Sequence, residues 1–106
     1  MKIVRTGRYA RDLKRLKASS SDVDEMEREI AARPEAGALI RGLRGLRKAR
    51  FRIGNRGKSA GGRVIYYFLV SDNVVIMIAA YAKAEKDDLS PDDRKAILRI
   101  LEEFEK

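Results

Sequence analysis

The side chains best suited to chemistry lie between residues 41 and 85. From Arg41 to Arg63 nine residues are Lys or Arg and none is Asp or Glu. Arg63 opens one apolar run, while Tyr81, Lys83 and Glu85 sit at alternate positions around the end of the next. Guanidinium, ammonium and phenol groups bind anionic oxygens, so this set points to a polyanion, with RNA as the expected one. The 106-residue chain has no histidine and no cysteine. That removes the usual zinc ligands, the thiolate nucleophile and the usual general base near neutral pH. Any reaction must therefore run on Lys, Arg, Tyr and carboxylates, and no cofactor is expected.

The net charge of +8 is unevenly placed. Residues 1–17 carry +6, residues 18–40 carry −4, residues 41–63 carry +9, and the remainder is slightly acidic. A charge block is often only a solvated face. Here the block runs into strands, which hold side chains in fixed directions. The longest apolar run, Val74 to Ala82, is far short of the roughly 18 residues that span a bilayer. The basic N-terminus also lacks the apolar segment of a signal peptide. The expectation is one soluble, cytoplasmic domain without a membrane partner.

The elements that must position these residues follow from periodicity. Lys2 to Val4 suits a short strand, and Tyr9, Leu13 and Leu16 recur at helical spacing. Ser19, Ser20 and Ser21 offer N-caps for a second helix with Asp22, Asp24 and Glu25 in its first turn and Pro34 as its stop. Residues 34–45 read as a connecting loop pinned to the core by Leu39 and Ile40. Leu46 to Ile53 alternates Leu46, Lys48, Arg50 and Arg52 against Arg47, Ala49, Phe51 and Ile53, which gives a strand with one basic face. Residues 54–62 form a basic loop containing Arg56 and Lys58. Arg63 to Val70 and Val74 to Ala82 are β-prone and joined near Asp72-Asn73 as a hairpin. Ser90-Pro91-Asp92-Asp93 starts the last helix, with Ile97, Ile100, Leu101 and Phe104 as its apolar face. The order β-α-α-β-β-β-α describes an α+β domain with a small antiparallel sheet, two N-terminal helices and a C-terminal helix.

Pro34, Gly37, Ile40, Gly42, Gly45-Leu46-Arg47-Lys48, Arg50, then Gly57-Lys58, Gly61, Arg63-Val-Ile-Tyr66-Tyr67, then Tyr81, Lys83, Glu85 and Asp88-Leu89 occur in order over about half the chain. This pattern resembles the HigB branch of the RelE toxin superfamily. The resemblance implies a type II toxin that cleaves mRNA on the ribosome, halts translation, and is inhibited by a co-expressed helix-turn-helix antitoxin of the HigA type. Relatives that poison gyrase, like ParE, share the fold, and a non-catalytic RNA or ribosome binder is the other alternative. Two positions depart from the family pattern: Ala60 precedes Gly61-Gly62, and Ala84 stands where Asn is common. Gly57-Lys58-Ser59 lacks the first glycine and the following helix of a P-loop.

Within that reading, Arg63 is the candidate clamp on the scissile phosphate, because its planar fork grips two oxygens. Lys48, Arg50, Arg52 and Arg56 extend the RNA-binding platform. Among packed like charges, Lys83 or Lys58 is the group that exchanges a proton near neutral pH. Tyr81 is placed to stack on the attacked base or bond its ribose, and Glu85 to act as a base or orient Lys83. Tyr66 and Tyr67 are expected to cover the sheet.

Register decides whether these groups meet. With a two-residue turn at Asp72-Asn73, Ser71 opposes Val74 and Arg63 faces away from Tyr81. A three-residue loop, or a bulge that restores parity, pairs Arg63 with Tyr81 on one face.

Overall fold

The computed structural model describes residues 1–55, 57 and 60–105. Strand β1 (Lys2–Arg5) leads into helices α1 (Gly7–Leu16) and α2 (Ser20–Ala32). A two-residue strand β2 (Ala38–Leu39) precedes β3 (Arg47–Phe51), β4 (Gly62–Leu69) and β5 (Val74–Ala82), and α3 (Pro91–Glu105) closes the chain. The five strands lie in the order β1-β5-β4-β3-β2. β1 joins β5 in parallel, so the sheet is mixed, while the other neighbours are antiparallel. The α+β architecture and the element order agree with the sequence reading, with one strand added. β2 lies in the segment read as a loop, and Leu39 is 64% exposed. Its strand pairs only at the sheet edge, so Ile40 alone is partly buried against the core.

The sheet carries a core on each face. On one, Tyr9, Met26 and Ile30 of the N-terminal helices pack on Phe51, Val64, Tyr66, Val75, Met77 and Ala80. On the other, Ile97 and Leu101 of α3 pack with Leu43, Leu46, Ile65, Ile76, Ile78 and Tyr81. Local signals start each helix. Ser19 Oγ accepts the Asp22 N–H at 3.1 Å at the start of α2. At α3 the Ser90 hydroxyl accepts the Asp93 N–H at 3.1 Å, while Asp93 Oδ2 accepts the Ser90 N–H at 3.0 Å. That reciprocal pair is a capping box.

The β4–β5 hairpin turns through a short 3₁₀ segment (Val70–Asp72) and Asn73, which adopts the left-handed conformation that asparagine tolerates. Leu69 therefore opposes Val74, and the pairing continues in that register to Tyr66 and Met77. The register then shifts: Ile65 opposes Ala79 and Arg63 opposes Tyr81. Ile78 is the extra residue of a β-bulge. Of the two routes expected to align Arg63 with Tyr81, the chain uses the bulge.

Candidate nucleic-acid site

Arg63 lies between two antiparallel neighbours, opposite Arg50 on β3 and Tyr81 on β5. Lys48, two residues before Arg50, pairs with Ile65. Cross-strand partners share a face, so Lys48, Arg50, Arg63 and Tyr81 lie on the α3 side of the sheet. The glycines preceding Arg63 let β3 and β4 approach this closely. A Cβ at Gly61 would lie 2.5 Å from the Phe51 carbonyl oxygen, and one at Gly62 would run into the Phe51 ring. Lys83 follows β5, is exposed, and extends the pairing by donating its backbone N–H to Gly61 O at 3.0 Å. Arg52 lies just beyond β3 and is exposed. Arg56 and Lys58 lie outside the described residues.

Two of these groups are less open than the sequence suggested. Arg63 is 9% exposed and donates from Nη1 to Gly62 O at 3.0 Å. Tyr81 is 2% exposed, so its ring does not present a free stacking surface. The segment 83–90 and α3 cover it: Leu89 and Ile97 belong to its apolar cluster, and Lys86 Nζ sits 5.8 Å from the ring centroid. The Tyr81 hydroxyl is buried without a hydrogen-bond partner among the described residues. Burial pushes its ionisation up, Asp88 and Asp93 add to that, and Arg63 opposes it. It is therefore a neutral phenol with an uncommitted O–H.

Glu85 is engaged elsewhere. Arg15 of α1 donates to both of its carboxylate oxygens, at 3.1 and 3.0 Å, and the Ala82 N–H donates to Oε1 at 2.8 Å. The Arg15 guanidinium holds the carboxyl below its ordinary range against a smaller opposing effect of burial. This contact ties the end of β5 to α1, across 70 residues of sequence.

Several supporting residues carried no signal in the sequence. Beyond β1 the outer edge of β5 is unpaired, and α1 satisfies it with side chains. Thr6, the N-cap of α1, donates its hydroxyl to Met77 O at 2.8 Å with Ile78 O also within 3.1 Å, so the cap sits on the bulge. Asp12 Oδ2 accepts the Ala80 N–H at 2.9 Å, and its Oδ1 accepts from Arg15 at 2.6 Å. On the other side, Asp93 accepts from Lys86 at 2.8 Å and from Arg8 at 3.0 Å, joining α1, the segment 83–90 and α3. Burial alone would raise the Asp93 carboxyl, but Lys86, the Ser90 N–H, Arg8 and the Ser90 hydroxyl together hold it well below the usual range. Tyr66 covers the sheet as expected: its hydroxyl donates to Pro34 O at 2.8 Å and accepts the Gly37 N–H at 3.0 Å.

No family model matches the chain. Solved structures do. The isolated RelE toxin of Escherichia coli matches with a TM-score of 0.56 at 20% identity, over 93% of this chain and 97% of that one. The chain has the RelE toxin fold. A second match is to the intact E. coli RelBE toxin–antitoxin complex, with a TM-score of 0.55 at 18% identity, over 76% of this chain and 94% of the matched one. HP0892 of Helicobacter pylori, a conserved hypothetical protein, matches with a TM-score of 0.54 at 15% identity, over 80% and 97% of the two chains. Within this RelE fold the five-stranded sheet brings Arg50, Arg63 and Tyr81 into one cross-strand row. No helix among the described residues is long and apolar enough to cross a membrane.

Proposed function

We propose that this chain is the toxin of a type II toxin–antitoxin pair of the HigB kind, an endoribonuclease that cuts mRNA in the ribosomal A site without a metal ion. The observation that carries this reading is the row Arg50, Arg63, Tyr81, with Lys48 beside it on the same face. In such a reaction the ribose 2′-oxygen attacks the adjacent phosphorus, the bond to the 5′-oxygen breaks, and the products carry a 2′,3′-cyclic phosphate or 3′-phosphate and a 5′-OH. Arg63 binds the non-bridging oxygens as charge builds on them, and Lys48, Arg50, Arg52 and Arg56 hold the flanking backbone. Tyr81 is the neutral donor, and its unpartnered O–H is free for a ribose or phosphate oxygen. Proton exchange with the 2′-OH and the leaving 5′-oxygen falls to Lys83 and Lys58. Glu85 anchors the strand end through Arg15.

RNA reaches Tyr81 by displacing residues 86–89, which cover it through Leu89 and Lys86, while Lys83 and Glu85 stay anchored at the strand end. The partner that silences the toxin is a HigA-like helix-turn-helix antitoxin, whose acidic residues complement the run from Arg41 to Arg63. RelE itself occurs in a solved complex with its antitoxin. Induced expression of the toxin alone tests the reading. Translation arrest with cut transcripts supports it, whereas a DNA-damage response with intact transcripts would assign the chain to gyrase poisoning.

A further inference from the structure

Asp88 is an exposed carboxylate beside the proposed RNA face. Its Oδ1 is 3.8 Å from Lys48 Nζ on β3, and its Oδ2 is 4.0 Å from an Arg94 guanidinium nitrogen on α3. One anion thus turns a different oxygen toward each of two cations from separate elements. A phosphodiester presents two non-bridging oxygens in the same way. Neither contact is at the 2.7–2.9 Å typical of a charge-assisted hydrogen bond. By contrast, Arg15 with Glu85, Arg44 with Glu105 and Lys86 with Asp93 meet at 3.0, 2.8 and 2.8 Å. The Asp88 side chain is also 57% exposed, so water and salt screen both pairs. Its one short bond among the described residues is from the Leu89 N–H to Oδ1 at 2.8 Å, so an incoming anion competes only with the two long cation contacts.

Arg94 is held ready for such an exchange. Its Nη1 donates to Arg41 O at 3.1 Å, which fixes the guanidinium beside the platform whether or not Asp88 is present. Lys48 lies one side-chain repeat from Arg50, the cross-strand partner of Arg63. A backbone running along this face would therefore pass from the Arg63 row to Lys48 and on to Arg94.

We propose that Arg94 is a further RNA-phosphate-binding residue, and that the Asp88 carboxylate occupies its phosphate position in the free protein. This rests on the reading of the sheet face as an RNA site. The proposal assigns α3 a share in substrate binding, although its segment of the sequence is acidic as a whole.

The test is fluorescence anisotropy of the full chain with a 2′-O-methylated single-stranded oligoribonucleotide, which binds without being cut, across a salt series. One phosphate contact on a single strand changes the slope of log affinity against log salt by about 0.7, or about fivefold in affinity at 0.1 M salt. Arg94→Gln should lose that much in both measures, and Asp88→Asn should bind correspondingly tighter. Arg28→Gln on the exposed side of α2 and Glu102→Gln on the exposed side of α3 make the same charge changes elsewhere and should have much smaller effects. Wild-type affinity in Arg94→Gln, weaker binding in Asp88→Asn, or equal effects from the distant variants would overturn the proposal. If Arg50→Gln and Arg63→Gln lose affinity while Arg94→Gln does not, only this inference fails. If none of the three loses affinity, the RNA site itself is wrong.

Discussion

Arg63 and Tyr81 are direct cross-strand partners because Ile78 is an extra residue in β5. Without that bulge the register set by the hairpin would turn the two side chains to opposite faces of the sheet. The bulge is held from outside the hairpin. Thr6 binds its carbonyls, and Asp12 accepts the N–H two residues further on. The start of α1 thereby sets the geometry of a site formed by strands about 70 residues away.

Thr6→Val removes both the cap of α1 and the hydroxyl on the bulge, and should cost about 1–2 kcal/mol of stability. Activity should fall further than the unfolded fraction explains, while Thr6→Ser retains both. Denaturant titration beside a cleavage assay separates these effects. Activity that merely tracks stability would show that Thr6 does not position the site.

Asp12→Ala strands the buried Ala80 N–H and leaves Arg15 without one of its two carboxylate partners. A loss of about 2 kcal/mol or more is expected, since the bonds broken are charge-assisted and largely buried. Hydrogen exchange should show the Ala80 amide losing protection before those of the central β4. Unchanged protection at Ala80 would contradict this role for Asp12.

Asp93 gives the fold an acid-sensitive joint. Its carboxyl is held below the ordinary range in the folded chain, so its contribution is complete above about pH 4 and is lost as pH falls through the lower folded value. Asp93→Asn should lower the thermal midpoint at pH 7 and flatten its decline toward pH 3. A variant with the same acid slope as the wild type would rule out Asp93 as the group responsible.

Cleavage should persist in EDTA once ribosome integrity is preserved. The chain has no His or Cys, and no group of three metal-ligating side chains occurs among the described residues. Activity restored only by adding a divalent ion to intact ribosomes would contradict a metal-independent reaction.

Much of the fold was legible in the chain because its signals are local. Ser19 and Ser90 announce helix starts, Pro34 ends α2 within two residues, and the alternation from Leu46 to Ile53 sorts Lys48 and Arg50 from Ala49 and Phe51 onto the faces they occupy. The β2 strand was not legible, since two residues carry no periodicity and owe their state to pairing with Arg47 and Lys48. The bulge was foreseeable only as a parity requirement. Its position depends on Thr6 and Asp12, which belong to another element. The burial of Tyr81 was not legible for a similar reason: the cover comes from residues 83–90 and α3, whose path over the sheet no local pattern encodes. Glu85 looked available because its partner, Arg15, lies 70 residues away.

On the proposed function, Arg63 acts on the scissile phosphate of ribosome-bound mRNA. Arg63→Gln removes the charge while keeping a polar side chain beside Gly62 O. The loss of a preorganised transition-state donor corresponds to about 10²–10³ in rate. The decisive measurement is primer extension on one transcript, translated and untranslated, with the wild type and with a folded Arg63→Gln variant. Breaks should appear in the translated message alone, at codon-sized intervals, and should fade by that factor in the variant. Breaks at wild-type strength from folded Arg63→Gln, or none with the wild type, would contradict it.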